Sequence, residues 1–146
     1  MKKKILLVED NPSDIELTIR AFRKSRVAND LIIAEDGQEA LDYLWGQGKW
    51  EGRDLSDVPA LTLLDLKLPK VSGFEVLRLI RAEAGIRRMP VVILTSSKEE
   101  PDIAAGYDLG VNSYIQKPVD FAQFSLYTEQ LGLYWLLLNE SPPAAR

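Results

Sequence analysis

There is no cysteine in the chain and no histidine. The first absence removes disulfides, thiolate metal sites and thiol nucleophiles together. The second excludes Ser-His-Asp chemistry, zinc held by imidazole, and any phosphohistidine carried by the chain itself. Long apolar runs are missing as well. No uninterrupted stretch approaches the roughly 18 residues of a membrane span. The lysines 2–4 are followed only by Ile5, Leu6, Leu7 and Val8 before Glu9, far too short for a signal-peptide core. A basic stripe interleaved with aromatics is also absent, and the net charge of −4 points away from general nucleic-acid binding. Together these absences predict a cytoplasmic protein with neither a membrane nor a nucleic acid as partner.

What is present begins with two apolar runs that end in acid. ILLV (5–8) leads into Glu9-Asp10, and LTLL (61–64) leads into Asp65. If both are buried parallel strands, three carboxylates converge at their carboxyl ends, where doubly wound α/β sheets bind ligands. They repel one another unless something cationic lies between them. An all-oxygen set of this kind suits Mg²⁺ or Ca²⁺ rather than a soft metal.

The apolar pattern changes period along the chain. Strand character falls at 4–8, 31–34, 61–64, 90–94 and 113–116, with helical spacing between. Asn11-Pro12-Ser13 supplies cap and first-turn residues for a helix over about 12–25. Asp36-Gly37 opens a second, Ser72-Gly73 a third, and Ser97 precedes a fourth that stops near Gly110. A fifth spans about 119–138, before Pro142-Pro143. Five strand–helix alternations predict an α/β fold. The expected sheet is doubly wound, five-stranded and parallel, in the flavodoxin-like order 2-1-3-4-5, with helices on both faces. The 146 residues predict one domain, its core over about 3–138 and a short tail over 139–146.

Under this arrangement the strand ends place Glu9, Asp10, Asp65, Thr95 and Lys117 side by side. Each suits the movement of a phosphoryl group. A carboxylate can attack phosphorus and become an aspartyl phosphate. Two further acids can hold a metal that offsets charge on the transferring group. A hydroxyl and an ammonium can bind the remaining oxygens.

VEDNPSD (8–14), LLDLKLPKVSGFEVL (63–77), VVILTSS (91–97) and YIQKPV (114–119) resemble the four signature blocks of two-component response-regulator receiver domains. The resemblance spans essentially the whole chain, with the blocks in the family's order and spacing. It implies that Asp65 is the phosphoacceptor and that Mg²⁺ is held by Asp10, Glu9, Asp65 and the backbone carbonyl of Lys67. It implies that Thr95 hydrogen-bonds the phosphoryl group, that Lys117 pairs with it, and that Tyr114 is a switch aromatic turning inward as Thr95 moves. It also implies a cis peptide bond before Pro118, and a loop after the acceptor shaped by Pro69 and Gly73. Lys67 and Ser97 match positions that in the family influence how fast the acyl phosphate is lost. The resemblance further implies that the phosphoryl group comes from the phosphohistidine of a separate histidine kinase. It implies that the chain acts only on its own phosphorylation and slow hydrolysis, and is not a metabolic enzyme.

Other classes fit less well. A phosphatase of haloacid-dehalogenase type needs a second acid two residues after its nucleophile, where this chain has Lys67. A flavin-binding flavodoxin needs a hydroxyl-rich phosphate loop where Glu9-Asp10 stands. A receiver fold used only for protein interaction would be expected to lack one of the five site groups, and none is missing. A transcription factor would need a further domain after the fifth helix.

The fifth helix carries more apolar residues than one sheet face can cover. Phe124, Tyr127, Leu131, Tyr134 and Trp135 are candidates for a homodimer surface. The 46–58 loop with Trp45 and Trp50, and the YWLLLNESPP ending, resemble single-domain regulators paired with bacterial and cyanobacterial phytochrome kinases. The likeness implies a kinase of that type, a dimer through the C-terminal side and no attached DNA-binding domain.

Overall fold

The computed structural model describes residues 3–25, 28–118 and 120–143. Five strands form one sheet: β1 (Lys3–Val8), β2 (Asn29–Ala34), β3 (Leu61–Leu64), β4 (Val91–Thr95) and β5 (Ser113–Gln116). The order is β2-β1-β3-β4-β5 and every pairing is parallel, as the sequence pattern predicts. Five helices alternate with them: α1 (Pro12–Arg23), α2 (Gly37–Trp45), α3 (Gly73–Ala82), α4 (Glu100–Asp108) and α5 (Phe121–Gly132). No helix among the described residues is long and apolar enough to cross a membrane.

β3 and β4, and β1 from Ile5 onward, are apolar almost throughout because both faces of the sheet are covered there. Their side chains alternate between two cores. Ile5, Leu7, Leu61, Leu63 and Val92 pack with Ile15 and Phe22 of α1 and Leu131 of α5. Leu6, Val8, Leu64, Val91 and Ile93 pack on the other face with Ala40, Tyr43 and Leu44 of α2 and Val76, Leu77 and Ile80 of α3. Each fully buried Leu or Ile contributes roughly 1.5–3 kcal/mol.

Helix starts follow their caps. The Asn11 side chain accepts from the N–H groups of Ser13 and Asp14, Asp36 from Glu39, Ser72 from Glu75 and Asp120 from Gln123. Ser97 does not cap α4 directly. The helix starts three residues later, with Glu99 at the N-cap making no side-chain cap bond; the Ser97 hydroxyl donates to Asp102 at 2.6 Å and accepts from Glu99 N–H at 3.4 Å. The fifth helical segment is two elements. α5 runs to Gly132, and a π-helical stretch follows over Leu133–Leu138, closed by Asn139 N–H donating to the Tyr134 carbonyl at 2.7 Å. Inward positions on α5 fall at Phe124, Thr128 and Leu131. The wider turn then carries the inward position to Leu136 rather than Trp135. The predicted start at Val119, and residues 144–146 of the predicted tail, lie outside the described residues.

The long loop after α2 is held down by its own side chains. Arg53 Nε donates to the Tyr43 carbonyl at 2.8 Å, and its guanidinium lies 4.1 Å over the Tyr43 ring. Trp50 meets the same ring edge-on at 5.3 Å.

A second arginine ties the far side of the sheet. Arg81, at the end of α3, donates to the carbonyls of Gly110, Arg87 and Met89 and to Asn112 Oδ1. Asn112 Oδ1 in turn accepts from the Val91 N–H at 2.8 Å, where β4 begins. Arg81→Ala removes the donor shared by three carbonyls and Asn112 Oδ1, which keeps only its bond from Val91 N–H, and should cost about 2 kcal/mol. The check is a lower urea midpoint with an unchanged slope; a midpoint within error of wild type would contradict it.

Candidate functional site

The chain order reverses between β1 and β3, so their carboxyl ends open onto a crevice. Val8 is paired with Leu64, and Asp65 N–H donates to the Val8 carbonyl at 3.1 Å. The register brings Glu9 and Asp65 level. Thr95 is paired with Gln116, and Lys117 N–H donates to the Thr95 carbonyl at 2.7 Å. Four strands thus deliver the five predicted groups to one end of the sheet.

Lys117 is the centre of charge. Its ammonium lies 2.5 Å from Glu9 Oε1, 2.8 Å from Asp14 Oδ2 and 3.0 Å from Asp65 Oδ2. The remaining oxygens of the two strand-end acids are held by backbone. Glu9 Oε2 accepts from the N–H groups of Asp10 and Asn11, and Asp65 Oδ1 accepts from Leu66 N–H at 2.7 Å. Glu9, Asp65 and Thr95 are buried, whereas Asp10 is open to solvent. Asp65 therefore has one fixed oxygen and one oxygen facing a movable cation.

Three carboxylates on one ammonium, with Asp10 beside two of them, leave an excess of negative charge. Burial pushes the Glu9 carboxyl up to about 7, with the Asp65 charge adding to it and the Lys117 contact opposing it. For Lys117 burial works downward, but its bonds to Asp14 and Glu9 and the charge on Glu9 and Asp65 outweigh it and hold the ammonium above its usual value. One oxygen each from Glu9, Asp10 and Asp65 lies within 4.8 Å of the others. Three hard oxygen donors with uncompensated charge fit a divalent cation of the Mg²⁺ class.

This electrostatics has a measurable consequence. A carboxyl whose folded-state value lies above its unfolded 4.5 binds more protons in the folded chain between the two. The Glu9 contribution to stability therefore falls as pH rises from about 4.5 to about 7, while Lys117 contributes evenly across that window. Mg²⁺ should raise the thermal midpoint more at pH 8 than at pH 6, as followed by calorimetry. An equal rise at both values would contradict the assignment.

Tyr114 is tied to the segment that follows Thr95. The Tyr114 hydroxyl donates to the Ser97 carbonyl at 2.9 Å, so the ring is turned toward the loop after β4. Gly106 of α4 makes room for it: a Cβ there would come within 3.4 Å of Tyr114 Cδ2 and 3.0 Å of Ile93 Cδ1. Thr95 Oγ1 accepts weakly from Ser97 N–H at 3.4 Å. Lys67 is exposed. Beyond it, the Pro69 carbonyl accepts from Gly37 and Val71 N–H groups, tying the loop to the start of α2.

Two expectations are corrected. No cis peptide bond occurs among the described residues, so the Lys117–Pro118 bond is trans. The trans form is intrinsically favoured by about 0.5–1 kcal/mol before proline, and in it Lys117 already reaches all three carboxylates. Of the dimer candidates, Phe124 and Leu131 are buried in the chain's own fold, since both lie on the inward stripe of α5. Trp135 is half-buried against the same core, and only Tyr127 and Tyr134 are exposed.

Sequence reasoning missed Asp14. It lies inside VEDNPSD, in the first turn of α1, where helical side chains lean back toward the preceding strand end. Its spacing from Asp10 was the available signal.

The response regulator receiver domain profile matches residues 5–128. A probable methanogenesis regulatory protein, FilR2 of Methanothrix harundinacea, is 42% identical over 97% of this chain and 88% of its own length. Response regulator Rcp1 of Synechocystis is 40% identical over 97% of this chain and 95% of its own. Among solved structures, the phosphorylated cyanobacterial phytochrome response regulator RcpA superposes with a TM-score of 0.90 at 39% identity, covering 98% of this chain and 100% of that one. The Mn²⁺-bound form of Rcp1 gives 0.88 at 38% identity, covering 97% and 99%. The bacteriophytochrome response regulator RtBRR gives 0.77 at 50% identity, covering 99% and 87%.

Proposed function

The chain belongs to the response regulator receiver family, and from that premise we propose that it accepts a phosphoryl group on Asp65 from a histidine kinase. The observation that carries the reading is the buried Asp65 carboxylate with one oxygen fixed by Leu66 N–H and the other against Lys117.

Transfer is a displacement at phosphorus. An Asp65 oxygen forms the new P–O bond, the P–N bond to the donor imidazole breaks, and its electron pair returns to the ring nitrogen. Lys117 moves one N–H from Asp65 to a phosphoryl oxygen, and the Thr95 hydroxyl donates to another. Positioning accounts for most of the rate, because the bond-forming oxygen is delivered already fixed against its partners. Glu9, Asp10, Asp65 and the Lys67 carbonyl would hold a Mg²⁺ ion. When bound, the ion supplies positive charge to offset that of the transferring group.

The output is a change of surface around α4, β5 and α5, transmitted by Thr95 and Tyr114. Tyr127 and Tyr134 lie exposed beside β5 on that face, and α5 and the turn beyond it also expose Leu126, Leu133, Leu137 and Leu138; a second copy of the chain is the occupant this reading assigns to it. The kinase assigned is of phytochrome type, on the likeness to RcpA, Rcp1 and RtBRR.

Incubation of the whole chain with acetyl phosphate, with and without Mg²⁺, tests the acceptor. Intact mass should show one phosphoryl group only when Mg²⁺ is present; no uptake in either condition rejects the reading. Sedimentation equilibrium at micromolar concentration tests the dimer, and a monomer in both phosphorylation states rejects it.

A further inference from the structure

We propose that Asp14 is a positioning residue for phosphoryl transfer: it anchors the Lys117 ammonium while the reaction draws away that group's other two partners. The inference rests on Asp65 being the acceptor.

An ammonium has three N–H donors, and here each has a carboxylate: Glu9 at 2.5 Å, Asp14 at 2.8 Å and Asp65 at 3.0 Å. Two of those three have other work. Asp65 becomes the acyl phosphate, and Glu9 is one of the three acids whose oxygens cluster within 4.8 Å. Asp14 is outside that cluster and forms no bond to phosphorus. Among the described residues its carboxylate has no partner besides Lys117.

Asp14 is also well fixed. Its N–H donates to the Asn11 cap at 3.1 Å, its carbonyl accepts from Thr18 Oγ1 at 2.7 Å, and its side chain is one-quarter exposed. The anchor is thus built into the rigid first turn of α1, whereas Lys117 sits on a flexible four-carbon stem. With Asp14 present, two donors of the ammonium change partner while the third stays put. Without it, none of the three carboxylates retains the stem once Asp65 and Glu9 are engaged, and the ammonium must find the incoming phosphoryl oxygen from a disordered position.

The test uses the full chain carrying Asp14→Ala and Asp14→Asn, acetyl phosphate as donor and Mg²⁺ in excess. Phosphorylation should slow about tenfold in the alanine variant and less in the asparagine variant, which keeps an acceptor oxygen but no charge. Mg²⁺ affinity by calorimetry should stay within about twofold of wild type, because Asp14 is not in the ligand cluster. The Lys117 ammonium resonance, seen by ¹⁵N NMR in the wild type without any donor, should broaden or vanish in Asp14→Ala. A wild-type phosphorylation rate in Asp14→Ala overturns the proposal. So does a Mg²⁺ affinity that falls as far as the rate, or an unaltered Lys117 signal. Failure of the wild type itself to take up phosphoryl groups would instead reject the acceptor assignment, leaving the NMR comparison as a separate reading of the anchor.

Discussion

Asp65→Asn should abolish phosphoryl uptake from acetyl phosphate, a loss of roughly a thousandfold or more. The amide has nearly the shape of the carboxylate, so the bond from Leu66 N–H at 2.7 Å survives. What disappears is the nucleophile, because the amide lone pair is delocalised and the group carries no charge. Lys117 loses one of three carboxylate partners, but Glu9 and Asp14 still hold it. The excess negative charge at the strand ends also falls, so the metal-free variant should be no less stable than wild type. Mg²⁺ should bind it about tenfold more weakly, since one of three clustered donors is neutralised. Intact mass after donor treatment, with a thermal melt as a folding control, checks both halves. Phosphoryl uptake that persists in Asp65→Asn would remove Asp65 from the mechanism.

Gly73→Ala is the second large effect, and it reaches the same carboxylate through the backbone. Gly73 opens α3, and a Cβ there would lie 2.1 Å from the Asp65 carbonyl oxygen and 2.8 Å from Leu66 Cα. Both are backbone atoms, so no rotamer change relieves the clash. Gly73 N–H also donates to the Leu66 carbonyl at 2.9 Å, so the helix start cannot withdraw without breaking that bond. The strain should cost about 2–3 kcal/mol. Because the displaced segment is the acceptor's own, phosphorylation should slow as well, by about tenfold or more even where the variant remains folded. Urea denaturation and donor kinetics measure the two effects. Wild-type values in both would mean that α3 can shift freely, contrary to its packing through Val76, Leu77 and Ile80.

The sheet was readable from residues alone because β1, β3 and β4 are runs of apolar residues interrupted by little else. A strand buried on both faces has no other composition available to it. β2 was harder: it begins at Asn29, two residues before the apolar run, since an edge strand tolerates polar residues at its end. The five principal site groups were legible because each lies at a strand's end or within two residues beyond it. Asp14 was not, because a carboxylate in a first helical turn reads equally well as a favourable dipole contact. The Arg81 tie was invisible for a different reason. Three of its four acceptors are main-chain carbonyls, gathered by turns that no side-chain pattern announces. The inward stripe of α5 explains the surplus attributed to the dimer face. Phe124 and Leu131 look available in a list of apolar residues and are not available at helical spacing.

The three tryptophans of the chain give it an uneven optical character. Trp45 ends α2 and Trp50 lies in the loop that Arg53 clamps against Tyr43, so both lie on the α2 side of the fold. Trp135 stacks edge-on against the exposed Tyr134 at 4.9 Å, in the π-helical stretch beyond α5. Intrinsic fluorescence thus combines two indoles on the α2 side with a single one at the face assigned to output. A change in the Trp135 emission on phosphorylation is for that reason a report of arrival at that face.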